Sequence, residues 1–180
     1  MKRHYLYMFL AFVCVLGCNN GTTTFKDINY YIPNGYKGVV VIVFEEKVKT
    51  VSNEFKIPEN GILYSPNMRN KGVFIPRYFY VDSNGDKIQK IEEIERYAIK
   101  KYRNALKEDT SYVLDAYDGK FNVKPKNEIN NSNTYSTKDW KTIKWVYFTI
   151  GNDEIERADL RGKANKIIDS LQNEIGKRYQ

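Results

Sequence analysis

The run VVVIVF at residues 39–44 decides the fold. Six apolar residues, five of them β-branched, follow one another without a polar break, and Glu45 and Glu46 close the run. A strand that is apolar on both faces is typically buried on both. We therefore expect this strand to be central in a sheet or sandwich. Residues 141–150, with apolar side chains at positions 145–148, predict a second long strand.

Turn signals divide much of the remaining chain into shorter strands. Pro33 and Gly35 match the second and fourth positions of a type I turn, and a further turn is predicted at residues 58–61. Two hairpins are expected, around residues 83–85 and around Asp118 and Gly119, because Asn-Gly or Asp-Gly between strand-like runs is a strong hairpin signal. The predicted short strands are residues 55–57, 62–64, 78–81, 87–88, 112–114 and 121–123.

Two segments show helical spacing instead. Residues 91–106 repeat apolar positions every three or four residues, with acidic residues early and basic residues late, an order that suits the helix dipole. Near the carboxyl terminus, Asp153 and Glu156 have the spacing of a capping box, and Asp159 and Lys163 lie one helical turn apart. The apolar stripe of this second helix is Leu160, Ala164, Ile167, Ile168, Leu171 and Ile175.

These elements predict the α+β class, with seven to nine short strands. The arrangement expected is a mainly antiparallel β-sheet or a prealbumin-like β-sandwich with a middle helix and a C-terminal amphipathic helix. The likeness to prealbumin-like sandwiches rests on strand spacing alone. Packing on its own domain is the favoured role of the apolar stripe, and docking to a partner protein is the alternative.

The amino-terminal segment predicts export and lipidation. Lys2 and Arg3 precede an apolar run at residues 5–16, as in a secretory signal, and this run is shorter than the roughly 20 residues that a transmembrane helix needs. The next junction, Val15-Leu16-Gly17-Cys18, resembles the lipobox of bacterial lipoproteins. That resemblance implies cleavage between Gly17 and Cys18 and a diacylglyceryl group on the Cys18 thiol. An ordinary signal that happens to contain a cysteine is the alternative.

The predicted organisation has three parts. Residues 1–17 are the lipoprotein signal peptide, residues 18–29 a lipidated tether, and residues 30–180 one β-rich domain with its C-terminal helix. The expected partner is the membrane, reached through lipid on Cys18. Asn19 rather than Asp follows the cysteine, which by the sorting rule of bacterial lipoproteins favours the outer membrane, with the domain facing the periplasm.

Composition removes several kinds of chemistry. The one histidine is His4 and the two cysteines are Cys14 and Cys18, so the domain beyond the tether has neither imidazole nor free thiol. Ser-His-Asp and Cys-His catalysis and the usual His/Cys zinc sites are therefore excluded, and no cofactor or metal is predicted. Loss of Lys2 and Arg3 lowers the net charge from +7 to +5. The basic residues form no block, which argues against nucleic acid.

Three sets of residues remain as candidate sites. Glu45, Glu46, Asp115 and Asp118 stand near predicted strand ends and could supply the carboxylate pair of a glycosidase, although solvated turn residues are commoner. Residues 82–93 place acidic side chains at several positions of a calcium loop, but Lys87 occupies the position that needs glycine, so a hairpin turn is the better interpretation. Trp140 and Trp145 could stack on a glycan or peptide, with Trp145 favoured as core.

Residues 30–44 resemble the opening of a family of uncharacterised bacterial envelope lipoproteins. That family begins, soon after the lipid-bearing cysteine, with the pattern Ile-Pro-x-Gly-Tyr-x-Gly-x-Val, and weaker echoes follow at residues 57–61, 80–85 and 148–151. The resemblance implies no activity and no site residue. We therefore predict a lipid-anchored envelope protein of unknown specific role, most simply a non-catalytic binding or assembly module whose partner could be a glycan or a protein. A glycan-acting hydrolase with an Asp/Glu pair is the alternative. The matching residues are Ile32, Pro33, Gly35, Tyr36, Gly38 and Val39.

Overall fold

A computed structural model of the protein describes residues 26–68, 74–94, 110–123, 140–152 and 154–179. Within these ranges the chain forms eight strands and one helix. The one helix of the described residues is not apolar enough to cross a bilayer. The elements are β1 Lys26–Pro33, β2 Gly38–Val51, β3 Glu54–Lys56, β4 Ile62–Met68, β5 Phe74–Val81, β6 Lys87–Ile91, β7 Tyr112–Val123, β8 Lys141–Gly151 and α1 Glu154–Tyr179.

The strands form two four-stranded sheets. The outer sheet has the order β3-β1-β5-β6 and the central sheet the order β4-β2-β8-β7. The α+β sandwich with a C-terminal helix is confirmed, but its strand pairing is mixed rather than mainly antiparallel. Strand β1 runs parallel to β3 and β5, and β2 runs parallel to β4. Parallel neighbours need a crossover connection, and here the chain crosses over through strands of the opposite sheet.

Strand β2 has the central position that its sequence predicts. Val39, Val41 and Val43 belong to the core between the central sheet and the helix. The alternate residues Val40, Ile42 and Phe44 belong to the core between the two sheets. Because successive side chains of a strand point to opposite faces, an unbroken apolar run suits a strand that has a packed layer on each side. The protein therefore has three layers: outer sheet, central sheet and helix.

The apolar stripe of α1 packs on the central sheet, as the favoured interpretation predicted. Asp159 and Lys163 form the expected i,i+4 ion pair at 2.6 Å. Glu156 accepts a hydrogen bond from the backbone N–H of Asn152 at 2.6 Å, whereas the predicted cap Asp153 lies outside the described residues. Because the stripe is covered by the protein itself, it is not a docking surface. Its buried members are Leu160, Ala164, Ile168, Leu171 and Ile175.

The second predicted hairpin is wrong. Strand β7 continues through Asp118 and Gly119 without a turn and pairs with β8 along its length. Gly119 lies opposite Trp145, and a Cβ atom at residue 119 would lie 2.2 Å from Cζ2 of the indole. A glycine inside a strand often marks such a close approach. The glycine therefore makes room for the indole ring and does not form a turn.

The start of the predicted middle helix is also wrong. Ile91 ends β6, is buried between the sheets and pairs with Tyr78. Glu93 then forms a β-bridge with Val113, which connects the chain to the central sheet. The remaining residues of the predicted helix, 95–106, lie outside the described part of the chain.

Two predicted turns can be compared in detail. The hairpin at residues 83–85 is confirmed, since β5 and β6 pair antiparallel around it. The turn near Pro33 has a different register: the N–H of Tyr36 donates to the carbonyl of Pro33 at 3.1 Å, so Pro33 is the first residue. Gly35 is then third, with φ of 73°, the position at which a type II turn favours glycine.

Candidate functional site

The residues of the opening motif meet around the ring of Tyr36. Its hydroxyl donates a hydrogen bond to the carbonyl of Val39 at 2.6 Å, and the Tyr80 hydroxyl donates to the Tyr36 carbonyl at 2.8 Å. A Cβ atom at Gly61 would lie 2.1 Å from the Tyr36 hydroxyl oxygen. Burial raises the pKa of Tyr36, so the group stays a neutral donor. This arrangement ties the β1–β2 connection to β5 and to the turn before β4, which is a structural role.

A buried ion-pair cluster joins β7 to the helix. A bulge between Val113 and Asp115 turns the Asp115 side chain toward α1. Arg157 Nη2 donates to Asp115 Oδ1 at 2.7 Å, and Arg161 donates to both carboxylate oxygens from Nη2 at 2.9 Å. These guanidinium groups occupy the oxygens that a catalytic acid would offer to a substrate. We interpret the Asp115 cluster as a lock between helix and sheet.

The other predicted carboxylates do not join Asp115. Glu45 forms an ion pair with Lys47 at 2.6 Å, and Glu46 forms one with Lys144 at 2.7 Å. Asp118 follows Asp115 by three residues in a regular part of β7, and residues an odd number apart on a strand lie on opposite faces. Asp118 accordingly lines a hollow between the sheets, away from the helix. The four residues therefore do not form the converging pair that a glycosidase needs.

The two tryptophans do not form a stacking platform together. Trp145 packs against the core beneath α1, where its ring lies 5.9 Å from that of Tyr147 and 6.0 Å from that of Phe121. The core interpretation of Trp145 is thus confirmed. Trp140 is half-buried just before β8.

A surface groove lies at one end of the outer sheet, between the turn at residues 58–61 and the hairpin turn at residues 82–85. Its volume is about 610 Å³, and it continues along the sheet into a second hollow of about 460 Å³. Because Tyr31 and Lys56 line both hollows, we treat the two hollows as one site, the outer groove. Its walls further include Pro33, Asn34, Pro58, Glu59, Asn84 and Lys87.

Tyr31 forms the aromatic floor of the outer groove and stacks on a neighbour on β5. The parallel register places Tyr31 beside Phe79, and their rings stack with centroids 6.2 Å apart and planes 25° apart. Lys87 Nζ lies 4.1 Å from the centroid of Phe79 and 5.3 Å from that of Tyr31. Such a cation over aromatic faces is stabilising, and it adds a hydrogen-bond donor beside the rings.

The hydroxyl of Tyr31 is also held in place. It donates to Glu54 Oε1 at 3.1 Å. Partial burial and the hydrogen bond to Glu54, together with the negative charge of Glu54, raise the pKa of Tyr31, so its hydroxyl remains protonated. The site thus combines an aromatic face with ammonium, amide and carboxylate groups, a mixture that suits polar ligands with one apolar face.

The calcium interpretation of residues 82–93 receives no support from the geometry. Asp82 Oδ1 accepts hydrogen bonds from the backbone N–H groups of Asn84 and Asp86, both at 2.9 Å. This carboxylate therefore stabilises the hairpin turn, as the favoured interpretation held. Among the described residues no group of three or more potential ligands could hold a metal ion.

The floor of the outer groove was missed in the sequence, although part of its signal is present there. Period-two alternation separates Tyr30 from Tyr31 and Tyr78 from Phe79, and the first member of each pair is buried between the sheets. Alternation could therefore have marked Tyr31 and Phe79 as outward-facing aromatics. Their pairing depends on the β1–β5 register. Gly17 and Cys18, predicted for cleavage and lipid attachment, lie outside the described residues.

The fold and the site define an α+β sandwich that carries one helix on its central sheet and a groove on its outer sheet. Residues 25–156 match the model of a protein family described as a family of unknown function, DUF6843. The chain belongs to that family. This membership agrees with the predicted resemblance to an uncharacterised family, while the specific opening motif stays a prediction.

Comparisons with individual proteins add one similar structure. No curated protein matches the chain. A 2.75 Å crystal structure described as a "Putative Lipoprotein from Bacillus anthracis" is similar to it, with 14% sequence identity and a TM-score of 0.46. The match covers 87% of this chain and 98% of that one.

Proposed function

We propose that the protein is a lipid-anchored lipoprotein of the bacterial cell envelope and that its domain is a non-catalytic module that binds a glycan. The anchor rests on the signal-like residues 1–17 and the lipobox that ends at Cys18. Strand β1 begins at Lys26, so seven residues separate the cysteine from the first strand. A domain on so short a tether remains close to its membrane.

The outer groove is the observation that carries the binding role. Sugars present one apolar face to an aromatic ring and hydroxyl groups to polar neighbours, and Tyr31, supported by its stacking on Phe79, supplies the ring. Lys56, Glu59 and Asn84 supply donors and acceptors along the walls. The groove is open to solvent, so one chain of a polysaccharide could lie along it without threading through the protein.

The ion pairs favour binding over catalysis. Asp115, Glu45 and Glu46 each have a cationic partner, which leaves them poorly suited to exchange a proton with a substrate. The alternative, a glycan-acting hydrolase, would have to use two of the four carboxylates that line the outer groove, Glu54, Glu59, Asp82 and Asp86. Glu54 accepts the hydrogen bond of the Tyr31 hydroxyl. One oxygen of Asp82 is already engaged by the hairpin turn.

The lipid anchor is tested by metabolic labelling with a palmitate analogue. We expect the protein to be labelled, and Cys18→Ser to abolish the label while the chain is still produced. Fractionation of labelled cells then separates outer from cytoplasmic membrane, and the outer membrane is expected because Asn19 follows the cysteine. An unlabelled protein, or one recovered only from the medium, would overturn the anchor.

Glycan binding is tested with the detergent-solubilised protein on a glycan array and by co-sedimentation with peptidoglycan. Tyr31→Ala should weaken retention about tenfold, equivalent to about 1.4 kcal/mol, because the floor of the groove is lost. Tyr117→Ala is the matched control, since Tyr117 is exposed on the central sheet. Equal loss in both variants, or no binding at all, would count against the groove.

The same preparation tests the hydrolase alternative. We expect no release of reducing sugar from bound glycan. Release that disappears in Glu59→Gln but persists in Glu92→Gln, a change at an exposed carboxylate of another segment, would replace the binding role by catalysis.

A further inference from the structure

Four aliphatic side chains are exposed on the described surface. Ile88, 53% exposed, lies on β6 just after the hairpin turn, and the other three lie away from it. Val48 is 42% exposed, Val51 51% and Ile75 47%. Single apolar residues scattered over a protein surface are normal, whereas a cluster of them can mark an interaction site. The positions of these residues relative to one another therefore decide between the two cases.

The three residues lie at the same end of the sandwich, the end at which β1 begins. Ile75 pairs with Asp27 in the parallel β1–β5 register. The end of β2 reaches the same place, because the carbonyl of Asn53, two residues after Val51, accepts a hydrogen bond from the N–H of Asn29 at 2.7 Å. Val48 and Val51 belong to a part of β2 that is exposed beyond the core and pairs only with β4.

Basic side chains surround these aliphatic residues. Lys26, Lys47 and Lys49 are all exposed. Lys26 begins β1, and in β2 Lys47 and Lys49 flank Val48. Nearby acidic residues include Asp27, which pairs with Arg77 at 2.9 Å, Glu45, which pairs with Lys47, and Asp118, which lines the hollow beside Ile28 and Ser52. Among these described residues the basic side chains Lys26, Lys47, Lys49 and Arg77 outnumber the acidic ones by one.

The length of the tether determines how this end is presented. Lys26 is eight residues beyond Cys18, a span of at most about 28 Å when fully extended and of about 15 Å on average. The outer groove lies at the other end of β1, which has eight residues and is therefore about 26 Å long. A lipid on Cys18 would thus bring Lys26, Val51 and Ile75 to the bilayer and leave the groove at the far end.

We propose that this end, formed by Lys26, Val48, Lys49, Val51 and Ile75, is a membrane-contact surface that rests on anionic phospholipid headgroups. The valines and Ile75 enter the headgroup region, while the lysines lay their methylene stems along it and bind lipid phosphates. The contact orients the sandwich so that the outer groove opens away from the membrane. This inference rests on the proposed lipid anchor and adds a second, electrostatic point of attachment.

The experiment uses the lipidated protein reconstituted into vesicles made of equal parts phosphatidylcholine and phosphatidylglycerol. Because Cys14 leaves with the signal and the Cys18 thiol carries the lipid, a single new cysteine can be labelled with a fluorophore. Val48→Cys is the test position, and Asn84→Cys, in the hairpin turn at the far end, is its matched control. Lipids with nitroxide-labelled headgroups then report which fluorophore lies at the surface.

We expect quenching of the label at residue 48 and little at residue 84. In vesicles of phosphatidylcholine alone the difference should shrink. Lys26→Glu with Lys49→Glu should also reduce it, since each lysine near an anionic surface contributes about fivefold to the local equilibrium. Lys56→Glu with Lys87→Glu, the matched charge change at the groove, should leave it unchanged.

Each result decides between the two proposals. If the protein floats with the vesicles but both labels are quenched equally, or neither is, the anchor stands and the membrane-contact surface is overturned. If the protein does not float at all, the anchor fails, and the contact surface that depends on it fails with it. Quenching at residue 48 that is insensitive to phosphatidylglycerol and to the lysine changes would overturn the electrostatic part.

Discussion

The lock between α1 and β7 makes a quantitative prediction about stability. Removing the carboxylate in Asp115→Ala leaves the Arg157 guanidinium without its partner in a place where its side chain is only 9% exposed. Arg157 Nε is already buried without a hydrogen bond in the described structure, so the loss is not compensated nearby. Breaking a buried ion pair in this way costs about 3–5 kcal/mol.

The arginines should differ from each other. The side chain of Arg161 is 40% exposed, so water can take the place of its guanidinium group beside Asp115. Arg161→Ala should therefore lower the free energy of unfolding by only about 1 kcal/mol. Replacing Asp115 and Arg157 together by apolar residues of similar volume should recover most of the loss, because no buried charge is then left without a partner.

Urea unfolding of the mature chain, followed by tryptophan fluorescence, measures these effects, and thermal unfolding should show Asp115→Ala melting roughly 10 °C lower. Asp159→Ala is the control, since it removes a carboxylate from an exposed ion pair of the same helix and should cost less than about 0.5 kcal/mol. If Asp115→Ala were no more destabilising than Asp159→Ala, the cluster would not be a lock.

Three glycine substitutions test the close contacts by the melting temperature. Gly119→Ala should destabilise by about 1–3 kcal/mol because the new methyl group meets the indole of Trp145. Gly162→Ala, in the helix with open space around it, should stabilise by about 0.5–1 kcal/mol; equal effects of these two changes would contradict the packing argument. Gly61→Ala should cost about 3 kcal/mol, since φ is 75° and the Tyr36 hydroxyl is 2.1 Å from the new atom, and an unchanged melting temperature would show that the motif does not act as a structural tie.

Structural features that depend only on residues close together in the sequence were mostly predicted correctly. The apolar run of β2, the stripe of α1 and the Asn-Gly hairpin each depend on a pattern within one short segment. The errors arose where a residue serves a distant one. The Asp118-Gly119 pair has the local pattern of a turn, but a glycine is needed at residue 119 because the indole of Trp145, 26 positions further on, lies against it.

The candidate site shows the same division more strongly. Asp115 forms ion pairs with Arg157 and Arg161, which lie 42 and 46 positions further along the sequence. The residues next to Asp115 in the sequence do not predict that pairing. Tyr31, the floor of the outer groove, meets Phe79 through the parallel register between β1 and β5, two strands that are separated in the chain by strands of both sheets.

The sequence by itself determined which chemistry is available and where the long central strands and the C-terminal helix lie. Residue types and their periodicity are local properties, so the absence of imidazole and free thiol after residue 18 and the buried nature of β2 can be inferred without a fold, and the export of the protein stays a prediction from residues 1–17. Only the tertiary structure decided that Asp115 is paired with two arginines, that Tyr31 stacks on Phe79 and lines a groove, and that exposed valines and lysines share the end where β1 begins. Those features depend on strand order and register, which arise from packing among residues far apart in the chain.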